Sequence, residues 1–105
     1  MEELLAQIRA ELRAGNFRIT EHGLQEILAD GLSAAELIDG ILNRQAEVVE
    51  DYPGDSRGAS CLVATWTRGG EPVHVVFSYP PRPKMITAYR LDPKKWLDYK
   101  TRRRS

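Results

Sequence analysis

The 105 residues of this chain are enough for one domain and leave little room for a second. Hydrophobic residues make up 42% of them, which is typical of a globular domain that folds without a disulfide or a structural metal. The single cysteine, Cys61, excludes an internal disulfide and a cysteine-based zinc site, and no apolar run approaches the roughly 18 residues of a membrane span. We therefore predict one cytoplasmic domain over residues 1–105, with no metal, no cofactor and no membrane partner.

Charge is divided unevenly along the chain, although the formal net charge is zero. Residues 1–51 carry eleven acidic and four basic side chains, whereas residues 52–105 carry eleven basic and four acidic ones. A positive half of this kind indicates an anionic partner. The alternative is that the two halves pack side by side and neutralise each other.

The first part of the chain has the hydrophobic periodicity of two or three helices. Apolar residues recur at helical spacing over Leu4–Leu12. Thr20 is a suitable N-cap for a second helix, and Gly31 ends it by tolerating a left-handed backbone conformation. Ser33 and Glu36 form a capping box, which predicts the start of a further helix.

From Glu47 onward the pattern changes to that of β-strands. Four strands are predicted, over Glu47–Tyr52, Cys61–Thr67, Val73–Tyr79 and Met85–Leu91. Phe17–Ile19 is a linker or an edge strand, Asp92 and Pro93 open a last helical turn, and residues 100–105 form a flexible basic tail. This order predicts an α+β fold, with N-terminal helices packed on a roughly four-stranded antiparallel sheet.

Gly69 and Gly70 predict a two-residue hairpin turn between the second and third strands. In that register Trp66 pairs with Val73, and both side chains point toward the helices. His74 then lies on the opposite face, on a mixed surface that stays open to a ligand. A slip of one residue would reverse these faces.

Residues suited to phosphodiester chemistry remain once familiar motifs are excluded. The sequence has no phosphate-binding glycine loop, no His-Glu-x-x-His pair and no Gly-x-Ser-x-Gly elbow. Cleavage of RNA without a metal needs an acid, a base and fixed cations. The residues that supply such groups are His22, Arg57, His74, Tyr89, Arg90 and Trp96. Each also has an ordinary structural interpretation, as a helix-start residue, an exposed strand or turn residue, an ion-pair partner or an apolar anchor.

Four short motifs resemble a known family. They are Ile19-Thr20-Glu21-His22, Glu50-Asp51-Tyr52-Pro53, Pro72-Val73-His74-Val75-Val76 and Ile86-Thr87-Ala88-Tyr89-Arg90, followed by Asp92-Pro93 and Trp96. In this order they resemble the small bacterial proteins grouped as domain of unknown function 4258, over about residues 18–96. That family is similar in fold to RelE/ParE/BrnT-type toxins, whose N-terminal helices pack on one face of an antiparallel sheet. The related ribonuclease toxins cut RNA without a metal, using basic and aromatic residues on the open sheet face.

The resemblance implies a toxin-like, metal-independent endoribonuclease or RNA-binding protein. The implied catalytic residues are His22, His74, Tyr89 and Arg90, gathered around one concave basic surface. Both histidines would exchange protons, Arg90 would clamp a phosphate, and Tyr89 would stack on a base or relay a proton. The implied RNA-binding residues are Arg57, Arg82, Lys84, Lys94 and Lys95.

The alternative function is a non-catalytic protein-interaction or dimerisation module on the same fold. The sequence favours it in the second helix, where the family's pattern usually has arginines and this chain has Glu26 and Asp30. Two anions near His22 repel a phosphate backbone. The partners to be considered are therefore RNA, an antitoxin-like protein and a second copy of the chain.

Overall fold

Three helices and one five-stranded sheet make up the computed structural model, which describes residues 2–103. The elements are α1 Glu2–Arg13, β1 Arg18–Ile19, α2 Glu21–Ala29, α3 Ala34–Asn43, β2 Glu47–Tyr52, β3 Ser60–Trp66, β4 Pro72–Ser78 and β5 Lys84–Arg90. This arrangement confirms the predicted α+β class. None of the helices in this part of the chain is long and apolar enough to cross a membrane.

The sheet is mixed, which corrects the prediction of four antiparallel strands. Its strand order is β1-β5-β4-β3-β2, and β1 pairs with β5 in parallel while the other neighbours are antiparallel. The fifth strand is the segment Arg18–Ile19, which the sequence left open between linker and edge strand. A strand of two residues is too short to show the alternation of apolar and polar side chains, so its pairing with β5 is visible only in the structure.

Both predicted helix caps are present, and one of them also fixes a helix to the sheet. The Thr20 hydroxyl accepts a hydrogen bond from the Gly23 N–H at 2.9 Å and donates one to the Ile86 carbonyl at 3.1 Å. The Ser33 hydroxyl accepts from the Glu36 N–H at 3.1 Å. Thr20 therefore sets the start of α2 against β5, as well as satisfying an orphan backbone donor.

The helices cover one face of the sheet and bury its apolar side chains there. Val48, Val63, Val75 and Ala88 form one row across β2, β3, β4 and β5, because each is paired with the next in the register. All four are buried in the same cluster as the inward side chains of the helices, which include Leu5, Ile8, Ile27, Leu37 and Ile41. The core thus lies between the helices and this helix-facing side of the sheet.

The hairpin between β3 and β4 has a three-residue loop, one residue longer than predicted. Trp66 pairs with Pro72, and the Gly70 N–H donates to the Thr67 carbonyl at 3.0 Å. Gly70 takes a positive φ of 84°, a conformation that glycine adopts at little cost and that ends this type of loop. The register therefore shifts by one, and every β3 side chain lies on the face opposite to the predicted one.

The shift leaves β4 as predicted and inverts β3. Val73 and Val75 face the helices, and His74 points to the other face of the sheet. In β3 the residues that face the helices are Cys61, Val63 and Thr65, because they pair with Phe77, Val75 and Val73. Trp66 consequently lies on the same face as His74, and not among the helices as the sequence predicted.

Gly23 allows α2 to lie directly against β5. A Cβ atom at this position would stand 2.7 Å from the Met85 carbonyl oxygen and 2.9 Å from that of Ile86. Both contacts are with backbone, which cannot turn away as a flexible side chain does. We expect Gly23→Ala to lower the free energy of unfolding by about 1–3 kcal/mol, although alanine is the better helix former.

Urea unfolding of Gly23→Ala checks this close approach. Gln25→Ala is the matched control, because Gln25 is exposed on the same helix. The control is expected to stay within about 0.5 kcal/mol of the parent chain. A Gly23→Ala variant as stable as the control would contradict the contact between α2 and β5.

Candidate functional site

The face of the sheet opposite the helices, here called the far face, is crossed by residues 92–103, here called the C-terminal segment. The Tyr99 ring lies 5.4 Å from that of Trp66, and its hydroxyl donates to Glu47 at 3.1 Å. Arg102 donates two hydrogen bonds to the Glu50 carboxylate, at 2.6 and 2.9 Å. The far face, predicted to be open to a ligand, is therefore partly covered.

The predicted turn and tail both belong to this segment. The Trp96 N–H donates to the Asp92 carbonyl at 3.0 Å, which closes the single turn that the sequence predicted. Arg102 contacts Glu50 of β2 and Arg103 donates to the Pro93 carbonyl at 2.6 Å, within the stretch 100–105 that the sequence predicted as a flexible tail. Trp96 pairs with Arg102 in an isolated β-bridge, and the guanidinium of Arg102 lies 4.4 Å from the centre of the Trp96 ring. Arg104 and Ser105 lie outside the described residues.

His74 is buried beneath the C-terminal segment, so its predicted exposure is wrong. Its side chain has no solvent-accessible surface, and its Nε2 lies 2.6 Å from the Tyr99 carbonyl oxygen. The Trp96 ring stands nearly perpendicular to the imidazole, with 4.4 Å between ring centres. The physical reason is that the large apolar ring of Trp96 is itself buried against the far face, where it covers the imidazole.

The contacts of His74 define its protonation. A carbonyl oxygen only accepts hydrogen bonds, so Nε2 carries the proton and donates to Tyr99. Nδ1 is then an acceptor, and it has no hydrogen-bond partner among residues 2–103. Burial lowers the pKa of His74 below its usual value of 6.5, since the charged form is poorly solvated there. The neutral imidazole thus holds the C-terminal segment in place.

Tyr89 lies beside His74 on the far face. The two residues are directly paired between β4 and β5, and their ring centres are 5.8 Å apart. Burial raises the pKa of the Tyr89 hydroxyl, which therefore keeps its proton at neutral pH. The side chain is half-buried and lines two adjoining clefts, so its phenol is available as a proton donor.

Glu50 reaches the far face because β2 contains a bulge. Glu47 pairs with Ala64 and Glu50 with Leu62, so the residues between them include one that has no regular partner. Without the bulge these two glutamates would point to opposite faces of the sheet. The hydrogen bonds from Arg102 lower the pKa of Glu50, which keeps the carboxylate ionised.

A cleft of about 260 Å³ opens beside the C-terminal segment, and it is here called the far-face cleft. The polar side chains in its lining include those of Glu50, Tyr52, Arg57, Tyr89 and Arg102. Arg57 stands on the rim with its side chain 90% exposed, 3.5 Å from Asp55. A neighbouring cleft of about 400 Å³ shares Tyr89 and Arg102 as walls and adds Lys95. The two clefts adjoin at Tyr89 and Arg102, and together they are here called the far-face groove, which is lined by carboxylates, phenols and guanidinium groups.

Arg90 and His22, the other two predicted catalytic residues, make no contact with the His74 ring, although Arg90 lines the cleft of about 400 Å³ together with Tyr89. Arg90 follows Tyr89 in β5 and therefore points to the helix-facing side. Its backbone N–H donates to the Asp30 carboxylate at 2.7 Å, and its Nε donates to the Asp30 carbonyl oxygen at 2.9 Å. Its Nη1 donates to the Glu71 carboxylate at 2.6 Å. His22 is exposed on the first turn of α2, 3.9 Å from Glu26. The structure thus brings Tyr89 together with His74 on the far face and with Arg90 along the neighbouring cleft, and it leaves His22 apart from these three.

The predicted RNA-binding residues fall into two groups. Arg57 and Lys95 line the far-face groove, and Lys94 is exposed in the turn beside it. Arg82 and Lys84 line a separate cleft where β5 begins. Lys84 opens β5 and Lys94 follows its end, so these two lie at opposite ends of that strand, whereas Arg57 lies in the β2–β3 loop at the end of the sheet where β5 begins.

The described part of the chain contains no site suited to metal or thiol chemistry. Residues 2–103 contain no group of three or more histidine, cysteine or acidic side chains that could hold a metal ion. Cys61 is buried in β3, and burial raises the pKa of its thiol to about 12. The thiol is therefore protonated at neutral pH and unsuited to act as a nucleophile.

Sequence reasoning missed Glu50 and Arg102 as members of the site. Glu50 belongs to the motif Glu50-Asp51-Tyr52-Pro53, so the family resemblance contained a signal for it. The sequence contained no such signal for Arg102, because the run of arginines at residues 102–104 is typical of a solvated tail. Its position follows from contacts with Glu50 and Trp96, which are distant in sequence.

The chain is a small α+β domain. Its helices lie on one face of a mixed sheet, and its polar clefts lie on the other face beside the C-terminal segment. The model of the family described as Domain of unknown function (DUF4258) matches residues 19–90, and the chain belongs to that family. The match spans β1 to β5 and ends before the C-terminal segment. No curated protein and no solved structure matches the chain.

The buried His74 makes stability depend on pH. Its pKa is lowered only in the folded state, so protonation below the usual value of 6.5 favours the unfolded chain. The free energy of unfolding is expected to stay level above that pH and to fall as the pH decreases toward the folded-state pKa. Urea unfolding at about pH 7.5 and about pH 5.5 measures the loss.

Two glutamine variants separate His74 from the other histidine. His74→Gln can still donate to the Tyr99 carbonyl but does not titrate, so its stability is expected to change less over this interval. His22→Gln removes the exposed imidazole of α2 and is expected to keep the parent's pH dependence. Equal pH dependence in the parent and in His74→Gln would contradict the burial of His74.

Proposed function

We propose that this protein is a toxin-like RNA-binding protein that cleaves RNA without a metal in the far-face cleft. The observation that carries the proposal is the meeting of an ionised carboxylate, a protonated phenol and two guanidinium groups around one cleft. These groups belong to Glu50, Tyr89, Arg57 and Arg102. They come from three separate parts of the chain, and they match the needs of phosphodiester cleavage.

Each group has a role in the proposed reaction. Glu50 accepts the proton of a ribose 2′-hydroxyl, whose oxygen then forms a bond to phosphorus. Tyr89 donates its proton to the 5′-oxygen as the bond from phosphorus to that oxygen breaks, which leaves a cyclic phosphate and a 5′-hydroxyl. Arg57 and Arg102 neutralise the charge that develops on the phosphate, and Tyr52 is exposed for stacking on a base.

His74 acts in this proposal as a positioning residue. It is buried, so it does not reach a substrate, but it contacts Tyr89 from the side and holds the C-terminal segment through Tyr99. That segment carries Arg102 into the cleft. The acid and base roles expected for the two histidines pass to Tyr89 and Glu50.

A RelE-like architecture is part of the same proposal. It is supported by the helices that cover one face of the sheet and by the four consecutive antiparallel strands β2 to β5. The polar groups lie on the face away from the helices, as they do in the toxins that the sequence resembles. An antitoxin-like protein that covers the groove would be the natural regulator of such an activity.

A second candidate function is a protein-interaction or dimerisation module, and two exposed leucines favour it. Leu24 and Leu28 lie four residues apart on α2, with 45% and 63% of their surfaces exposed. Residues at this spacing are neighbours on a helix, so the two form one apolar strip. The neighbouring Glu26 is also exposed, which suits contact with a protein better than contact with RNA.

Cleavage of a labelled single-stranded RNA in the presence of a chelator tests the proposed function. Glu50→Gln removes the base and is expected to lower the cleavage rate by about a hundredfold or more. Tyr89→Phe removes the proton donor and is expected to slow cleavage while leaving RNA affinity nearly unchanged. Arg57→Gln is expected to weaken binding, with little effect on folding because the side chain is exposed.

Arg68→Gln is the matched control for these variants. Arg68 is an exposed residue of the hairpin loop and lines neither far-face cleft, so cleavage and binding should both stay at the level of the parent. Cleavage that Glu50→Gln and Tyr89→Phe leave unchanged would contradict the assigned roles. A parent chain that neither binds nor cleaves RNA would exclude this function and leave the interaction module.

A further inference from the structure

A second concave surface lies where β5 begins, on the edge of the sheet that β1 forms. Its cleft, of about 360 Å³, is lined by residues 15–18 on one side and by Arg82 and Lys84 on the other. Arg18 and Lys84 are direct partners in the parallel pairing of β1 with β5. This surface is here called the edge cleft.

The edge cleft holds three cations that the fold leaves uncompensated. Within residues 2–103, no acidic side chain forms an ion pair with Arg18, Arg82 or Lys84. The nearest carboxylate contact is that of Glu11, which accepts hydrogen bonds from the Asn16 amide and, at 3.4 Å, from the Arg82 backbone N–H. By contrast, the arginines of the far-face groove each have an acidic partner, as Arg57 and Arg102 show.

Arg82 is held in a conformation that costs free energy. Its φ is 56°, a left-handed value that residues with a side chain rarely adopt. The next residue, Pro83, is buried, and its carbonyl accepts a hydrogen bond from the Arg18 N–H at 3.2 Å. The loop is thereby fixed to β1, and the guanidinium of Arg82 is presented at the edge cleft. Such strained positions recur at ligand-binding sites.

We propose that the edge cleft binds phosphate groups of single-stranded nucleic acid. Three cations from two fixed segments can surround a phosphate, and the half-buried Phe17 supplies an aromatic side chain beside them. Lys84 and Tyr89 lie five residues apart on β5, a distance of about 17 Å along the strand. The choice of RNA as the source of the phosphate depends on the proposed function, and an RNA strand bound at both clefts would follow β5.

Titration with inorganic pyrophosphate tests the edge cleft without RNA. The expected chemical-shift changes of the backbone amides are confined to residues 15–18, Arg82 and Lys84. Arg18→Gln and Lys84→Gln should each weaken binding by about tenfold, whereas Arg68→Gln should leave it unchanged. Shift changes spread over all basic residues of the surface would overturn the proposal.

Arg82→Gly separates binding from folding. Glycine adopts a positive φ at little cost, so this variant should unfold at a temperature no lower than that of the parent. The same variant should lose about tenfold in pyrophosphate affinity, because the guanidinium is gone. Full affinity in Arg82→Gly, or a large loss of stability, would show that the side chain serves the fold and not a ligand.

A uridine hexanucleotide then shows whether RNA is the source of the phosphate. Its affinity should fall with salt, and each lost phosphate contact should reduce the slope of log K against log salt by about 0.7. RNA cleavage by the parent together with an unchanged slope in Lys84→Gln would overturn the edge cleft and keep the proposed function. Pyrophosphate binding without any RNA binding would keep an anion site and overturn its assignment to nucleic acid.

Discussion

The far-face site depends on the contacts that attach the C-terminal segment to the sheet, and two of these contacts determine the cleft. One is the hydrogen bond between His74 and the Tyr99 carbonyl, and the other is the paired hydrogen bond between Arg102 and Glu50. The first involves the fully buried His74, whereas the second is half-exposed and lies at the cleft. Because a buried donor or acceptor without a partner costs free energy, the His74 contact fixes where the segment lies. The segment then determines which groups line the cleft.

Strand β5 shows how one stretch of sequence serves both the fold and the site. Tyr89 and Arg90 are consecutive, so they point to opposite faces of the sheet. Arg90 binds Asp30 at the end of α2 and thereby holds the helix layer, which explains the aspartate at a position where arginine was expected. Tyr89 is left on the far face with its phenol beside the cleft. The polar residues of one motif thus divide between structure and proposed chemistry.

The helices, their caps and four of the strands could be predicted because they depend on neighbours in sequence. Tyr89 and Arg57 were also predicted as site residues because their side chains are suited to RNA, and both line the far-face cleft. Three features were not accessible in this way. The hairpin register depends on Arg68, which joins the two glycines in the loop, and of the two glycines only Gly70 takes a positive φ. The position of Glu50 depends on a bulge, and the burial of His74 on a segment more than twenty residues away.

The protonation state of the His74 ring tests the account most directly. Nitrogen-15 NMR of the imidazole distinguishes a protonated ring nitrogen from an unprotonated one. The structure predicts a single neutral form with the proton fixed on Nε2, in slow exchange with water, because Tyr99 accepts that proton under the C-terminal segment. A ring that exchanges rapidly between both neutral forms and titrates like an exposed histidine would contradict the covered far face, and with it the site assembled around Arg102.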